Sequence, residues 1–278
     1  MIALLLALSS SLAYGCADFL GGLGARKAHV LRTVMVAAPA SLAVELLLWP
    51  VLGATFSGAA LGWGAASGVA SAIAFVLLYR TLAIGPMNVL SPVTALVSAA
   101  LPVGVGLLQG EQLSTAGLVG LPLALVSVVL VSAGHGAGSA RPSRTALLLA
   151  FGAGAAIALQ LICLHQAPAD SGVAPLITGR AVSSAVTLAA AASLRRRLGE
   201  ARPAYGMSAA AGVLDSVANL LFLLAARSGD LTVVAVITAL YPVGTVLLAR
   251  GVLAERIHRG QLVGLGTAVA AVGLLALA

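Results

Sequence analysis

Ten apolar runs, each about as long as a bilayer crossing, fill the chain between short polar breaks. They fall at roughly residues 2–23, 31–52, 60–80, 86–108, 113–133, 144–164, 174–194, 204–226, 231–252 and 260–277. A hydrocarbon core about 30 Å thick takes about 20 residues of helix per crossing. The runs are continuously apolar, whereas barrel strands alternate lipid-facing and lumen-facing residues. The pattern therefore predicts an all-α integral membrane protein of ten transmembrane helices, whose backbone polar groups are satisfied within each segment.

The runs form two sets of five. Residues 68–132 match residues 212–276 without a gap at an offset of 144, with 17 identities in 65 positions. Many of these are common apolar residues, so the decisive match is a rare one, Glu111 with Glu255, in a chain with eight acidic residues. The duplication predicts a first five-helix repeat at 1–136, a linker at 137–143 and a second repeat at 144–278. Because five is odd, the second copy must lie upside down relative to the first. A duplicated protein that obeys the positive-inside rule must then shift its basic loops between copies. The sequence shows that shift, with 13 of its 15 Lys and Arg residues in odd-numbered loops. The expected fold is two inverted repeats in the cell (cytoplasmic) membrane, with odd loops cytoplasmic and both termini outside.

Composition narrows the function classes. At 60% hydrophobic, 8% charged and mean hydropathy +1.10, the chain lacks the polar surface of a soluble globule. The net charge of +7 is a topology signal, because no basic patch is interleaved with aromatics and only 4% of residues are aromatic. Nucleic acid is not an expected partner; the lipid bilayer and a small-molecule substrate are. The first run has no basic n-region and is too long for a cleaved leader, so it reads as the first helix. Cys16 and Cys163 read as small core residues. His29, His135, His165 and His258 lie in or beside loops without ligand spacing, so no metal, cofactor or enzymatic activity is expected.

Polar groups inside the runs are few, and each costs about 2.5–3.5 kcal/mol at the bilayer centre. Asp215 falls near the middle of the eighth run, with Asn219 one turn on. The pair is a candidate substrate or proton site, and the competing reading is a packing lock. Asp18, with Tyr14 one turn away on the first helix, is either a site residue or an anchor paired with Arg26 or Lys27. Gln160 and Tyr241, which precedes Pro242, are candidate wall residues. Trp63 reads as an interfacial aromatic. Glu45 and Arg180 fall at matching depth from one membrane face and are expected to form a structural ion pair. Glu111 and Glu255 precede the last helix of each repeat and are read as structural, serving that helix dipole and meeting Arg256 or Arg259. Pro86, Pro92, Pro102 and Pro242 mark helices whose hydrogen bonding is interrupted.

The closing segment "ALYPVGTVLLARGVLAERIHRGQLVGLGTAVAAVGLLAL" resembles the last two helices of the EamA-like family in the drug/metabolite transporter superfamily. Tyr241-Pro242, Leu253, Glu255-Arg256, Gln261 and Gly264 carry the likeness. Gly110-Glu111, Gly120 and "LAYGCADFLGG" echo it in the first repeat, and Arg32 and Arg180 sit where the family tends to carry an arginine. The resemblance implies a ten-helix basket in which helices 1, 3, 4, 6, 8 and 9 surround a central cavity. Glu45 and Arg180 would then be peripheral. It also implies a secondary transporter that moves a small metabolite by alternating access, usually outward, as a monomer or homodimer. An amino acid or related amphipathic compound is the expected cargo, with Asp215 as the candidate for proton coupling. Flipping of a lipid-linked carrier is the alternative, and a non-transporting membrane scaffold the second.

Overall fold

The computed structural model describes residues 1–84, 87–132, 143–245, 248, 259–275 and 277. The first half contains α1 (Ile2–Lys27), α2 (Val30–Leu52), α3 (Gly58–Ile84), α4 (Met87–Leu108) and α5 (Thr115–Ser132). The second contains α6 (Arg144–Gln166), α7 (Ala174–Ser193), α8 (Tyr205–Ala226), α9 (Leu231–Thr238) and α10 (Arg259–Leu275). The other described residues form two short 3-10 helices, Ala169–Ser171 and Arg195–Arg197, a helical turn after α9 and connecting loops, with one isolated backbone bridge between Ala54 and Gly172.

Side chains start several of these helices by taking up N–H groups that have no partner inside the helix. Ser57, Ser114 and Ser143 accept from the backbone N–H three residues on, at 3.1, 3.3 and 3.1 Å, opening α3, α5 and α6. Glu111 does the same for α9 from the other half of the chain. Its Oε1 accepts from the Leu231 N–H at 2.7 Å and its Oε2 from the Thr232 N–H at 2.9 Å. This corrects the expectation that Glu111 serves the helix that follows it. A negative charge at that helix start is favourable. Glu255, Arg256, Pro86 and linker residues 137–142 lie outside the described residues.

Among the described residues seven helices are long and apolar enough to cross a membrane, while the stretches at Thr115–Val131, Leu231–Thr245 and Arg259–Leu275 are apolar but shorter. The ninth expected span is interrupted for a local reason. Pro242 has no N–H to offer the Thr238 carbonyl, so α9 stops at Thr238, turns through Ala239–Leu240 and resumes as helix over Tyr241–Thr245.

Helix packing repeats itself. α1 packs on α8 as α6 does on α3, α2 on α8 as α7 on α3, and α4 on α6 as α9 on α1, while α2–α7, α4–α9 and α5–α10 pair across the halves. Exchanging each helix for the one five places away leaves this pattern unchanged. Glycines at the 144-residue offset make equivalent crossings. A Cβ at Gly68 would run into the backbone of Gly179 on α7, and one at Gly212 into the backbone of Ala37 on α2. A Cβ at Gly120 would press on Leu274 and Leu275 of α10, and one at Gly264 on Leu130 and Val131 of α5. Where lipid replaces water there is no hydrophobic drive between helices, so such close backbone approach is what binds them. The outer surface is correspondingly apolar, with Leu47 76% and Val269 75% exposed, and Trp63 also lies outward.

The two ends of the bundle are tied differently. At one, Arg32 donates to the carbonyls of Leu198 and Gly199, joining the start of α2 to the loop after α7. At the other, the loops after α2 and α6 are linked by Thr55 N–H to Ser171 O at 3.1 Å and Val173 N–H to Gly53 O at 3.0 Å. Gly172 has φ +57° there, a region that favours glycine. Arg227 locks the same corner through the Gly172 and Pro168 carbonyls at 2.9 and 3.1 Å.

Candidate functional site

The helix pairings described above leave a cavity of about 540 Å³, mouth included, among α1, α3, α4, α6, α8 and the broken α9. These are the six helices that the family resemblance implies. Tyr14 and Asp18 enter from successive turns of α1, Ser71 and Phe75 from α3, Ser98 from α4 and Gln160 from α6. Asp215 enters from α8, and Thr238 and Tyr241 flank the break in α9. Five of the six residues expected at a site thus share one cavity. The sixth, Asn219, stands behind the wall. Its Oδ1 accepts from Gln160 Nε2 at 2.5 Å, and its Nδ2 donates to the Asp215 carbonyl at 2.8 Å. It orients two lining residues, and it borders a smaller neighbouring cavity with Arg180 and Ser67.

The central electrostatic feature is an ion pair that differs from the expected one. Arg180 Nη2 lies 2.7 Å from Asp215 Oδ2, its Nη1 donates to Ser71 Oγ at 3.0 Å, and its guanidinium carbon stands 5.9 Å from the Phe75 ring centre. The expected Glu45–Arg180 pair is therefore replaced by Arg180–Asp215. Depth along the helices is a coordinate that Glu45, Arg180 and Asp215 share. The crossing of α7 on α3 at Gly68 and Gly179 directs the arginine inward, so it is not a peripheral residue. Glu45 is fully buried beside it, and its Oε1 accepts instead from Ser216 Oγ at 2.6 Å.

Asp18 is 8% exposed and faces the cavity. Among the described residues it has neither a hydrogen bond nor an ion pair, so Arg26 and Lys27 do not anchor it. Tyr79, which the sequence reading passed over, is buried against α1, where a Cβ at Gly21 would fall on its ring. Ser71, Phe75, Ser98 and Thr238 were also missed. Ser71 had a signal, since it is the residue 144 positions before Asp215, and the two equivalent positions meet at one guanidinium.

The arrangement can hold a small solute between an unpaired carboxylate, a paired carboxylate and hydrogen-bonding hydroxyl and amide groups, with apolar walls from Phe75, Leu78, Ile157 and Leu161. Among the described residues no group of three His, Cys, Asp or Glu side chains could hold a metal ion.

The model of the EamA-like transporter family matches residues 144–277. No curated protein matches the chain. A crystal structure of another protein, 15% identical in sequence, superposes with a TM-score of 0.77 over 99% of this chain and 96% of that one. At that identity the likeness is one of fold.

Proposed function

We propose, on the match of the EamA-like transporter family model to residues 144–277, that this chain is a multi-pass membrane transporter of the drug/metabolite type, and we propose what it moves and how. The cargo is a small amphipathic metabolite carrying an amino group, such as an amino acid or related compound. It leaves the cell by alternating access of two inverted five-helix repeats, 1–136 and 144–278. The odd loops face the cytoplasm and both termini face outside.

The observation that carries this reading is the unpaired Asp18 carboxylate facing a cavity whose other walls combine Tyr14, Gln160 and Tyr241 with apolar side chains. A buried carboxylate without a protein partner is costly, and a cationic amino group would relieve that cost. The cavity sits where transporters of this build bind their cargo, at the interface between the repeats. The packing pattern that survives exchange of the halves supports the repeat architecture, and the odd-loop arginines support the orientation. Asp215 and Arg180 are the proposed coupling element. Proton uptake on Asp215 would release the guanidinium and loosen α7 from α8. Polar side chains across the cavity favour a small solute over a lipid-linked carrier.

The test compares metabolites in the medium of cells producing the protein, its Asp18→Asn variant, its Asp215→Asn variant or neither. A compound that accumulates outside only with the unmodified protein is the expected result. Equal media from all four, with the protein present in the membrane, would overturn export. Unchanged export by Asp18→Asn would overturn the assignment of that carboxylate.

A further inference from the structure

Three carboxylates, Asp18, Asp215 and Glu45, are buried in the bundle, and Arg180 acts on two of them, Asp215 and Glu45. Arg180 neutralises Asp215, and Asp18 faces the cavity. Glu45 has neither outlet. It is fully buried on α2, outside the cavity lining, and beyond the Ser216 bond its second oxygen has no hydrogen-bond partner among the described residues. The charged groups acting on it are Arg180 from α7 and Asp215 from α8, and these two are engaged with each other.

The surroundings of Glu45 are equally uncommon. Thr33 and Ser41 on α2, Ser183, Ser184 and Thr187 on α7, and Ser208 on α8 carry buried hydroxyl oxygens without hydrogen-bond partners among the described residues. α2 packs on both α7 and α8. Along them the hydroxyls run from the level of Glu45 and Ser216 toward the end of the bundle where Arg32 holds Leu198. At that end Thr33 and Ser208 come together, both lying within 4 Å of where a Cβ on Gly24 would sit. Buried polar groups are almost always satisfied by protein or ordered water, and a row of them along one seam is a route that water and protons can follow.

We propose that Glu45 is a proton-binding site separate from the cavity, loaded along the hydroxyl-lined seams that α2 forms with α7 and with α8, from the end that carries Arg32. In the state described here Glu45 holds a proton. When Asp215 loses its charge, the guanidinium of Arg180 turns to Glu45, which gives its proton up to the seam. One arginine then serves two carboxylates in turn, and the proton balance closes, with one taken up at Asp215 and one released at Glu45. This goes beyond the transport reading and does not require it, because the predicted readout is the proton itself.

The experiment is infrared spectroscopy of the purified full-length protein in lipid, unlabelled and with carboxyl-13C glutamate. The chain has four glutamates, at 45, 111, 200 and 255, so the label separates Glu45 from both buried aspartates. At neutral pH a C=O stretch of a neutral carboxylic acid is expected that shifts with the label. It should be lost in Glu45→Gln, kept in Glu111→Gln and moved to higher frequency in Ser216→Ala. It should also vanish in Asp215→Asn, where Arg180 is free to recruit Glu45. Absence of a label-sensitive band in the unmodified protein overturns the proposal whether or not any variant folds, and so does a band that survives Glu45→Gln. A band that survives Asp215→Asn overturns the exchange of partners. Transfer to heavy water tests the route: exchange of this band should slow in Thr187→Val with Ser183→Ala, and an unchanged rate refutes the seam.

Discussion

Replacing Arg180 with glutamine strands Asp215 in the protein interior, and the geometry sets the scale of the loss. At a separation of 2.7 Å the Coulomb attraction is about 6 kcal/mol for an effective dielectric of about 20. Desolvation of both ions offsets part of this, and removing one partner of a buried pair costs about 3–5 kcal/mol. Side-chain exposures of 3% and 11% leave little solvent to soften the effect. The bond to Ser71 and the contact with Phe75 add about 1 kcal/mol each at most. Arg180→Gln is therefore expected to lose about 4 kcal/mol and Asp215→Asn about 3 kcal/mol. The double variant, which leaves two neutral amides able to bond each other, should lose about 2 kcal/mol less than the sum of the singles, as interacting neighbours do. Reversible unfolding in mixed detergent micelles, followed by circular dichroism, measures all three. Additive losses, agreeing within about 0.5 kcal/mol, would refute the pairing and with it the inward path of Arg180.

Further substitutions test other parts of the structure. Glu111→Gln keeps the shape of the cap but removes its charge, and is expected to cost about 1.5–3 kcal/mol; hydrogen exchange should quicken at the α9 amides while those of α2 hold. Gly68→Ala and Gly212→Ala place a methyl group against a neighbouring backbone at equivalent crossings, and each should cost about 1–3 kcal/mol. A loss confined to one of them in micelle unfolding would contradict the equivalence. Arg32→Ala frees the carbonyls of Leu198 and Gly199, so trypsin should cut faster after Arg195 and Arg196 with little change in global unfolding.

An all-helical chain of long apolar segments was legible because apolar run length is a direct consequence of bilayer thickness, though seven of the described helices, not ten, are long enough to cross; residues recurring at a fixed offset pointed to halves whose helices pack alike. Four of the glycines among those identities, Gly68, Gly212, Gly120 and Gly264, are contact points. Sequence also located the cavity residues through their cost, since Tyr14, Asp18, Gln160, Asp215 and Tyr241 are polar where apolar residues are expected. It failed where the answer depended on rotation between helices. Glu45 and Asp215 lie at compatible depths for Arg180, and only the crossing of α7 on α3 decides between them. Glu111 failed for the same reason, because its partner, the start of α9, is 120 residues away in the other half. Ser71 and Ser98 left no signal in composition, as serines are common in tightly packed membrane helices.

Comparing the two halves position by position separates scaffold from site. Where they agree, at Gly68 and Gly212 or Gly120 and Gly264, the residue lets two helix backbones touch. Among the positions where they differ, some fall on the cavity and its wall, as Ser71 against Asp215 and Phe75 against Asn219. A symmetric bundle of two identical halves would present the same groups to the solute from both sides, with no preferred carboxylate and no guanidinium to trade between partners. The Ser71–Asp215 difference allows Arg180 to hold a neutral acceptor from one repeat and a charged one from the other. A change of charge at Asp215 then acts on only one side of the guanidinium, weakening the contact of α7 with α8 while its bond to α3 persists. On the proposed reading of a proton-coupled transporter, that asymmetry would give the fold a shared hinge whose two sides answer differently to the same proton.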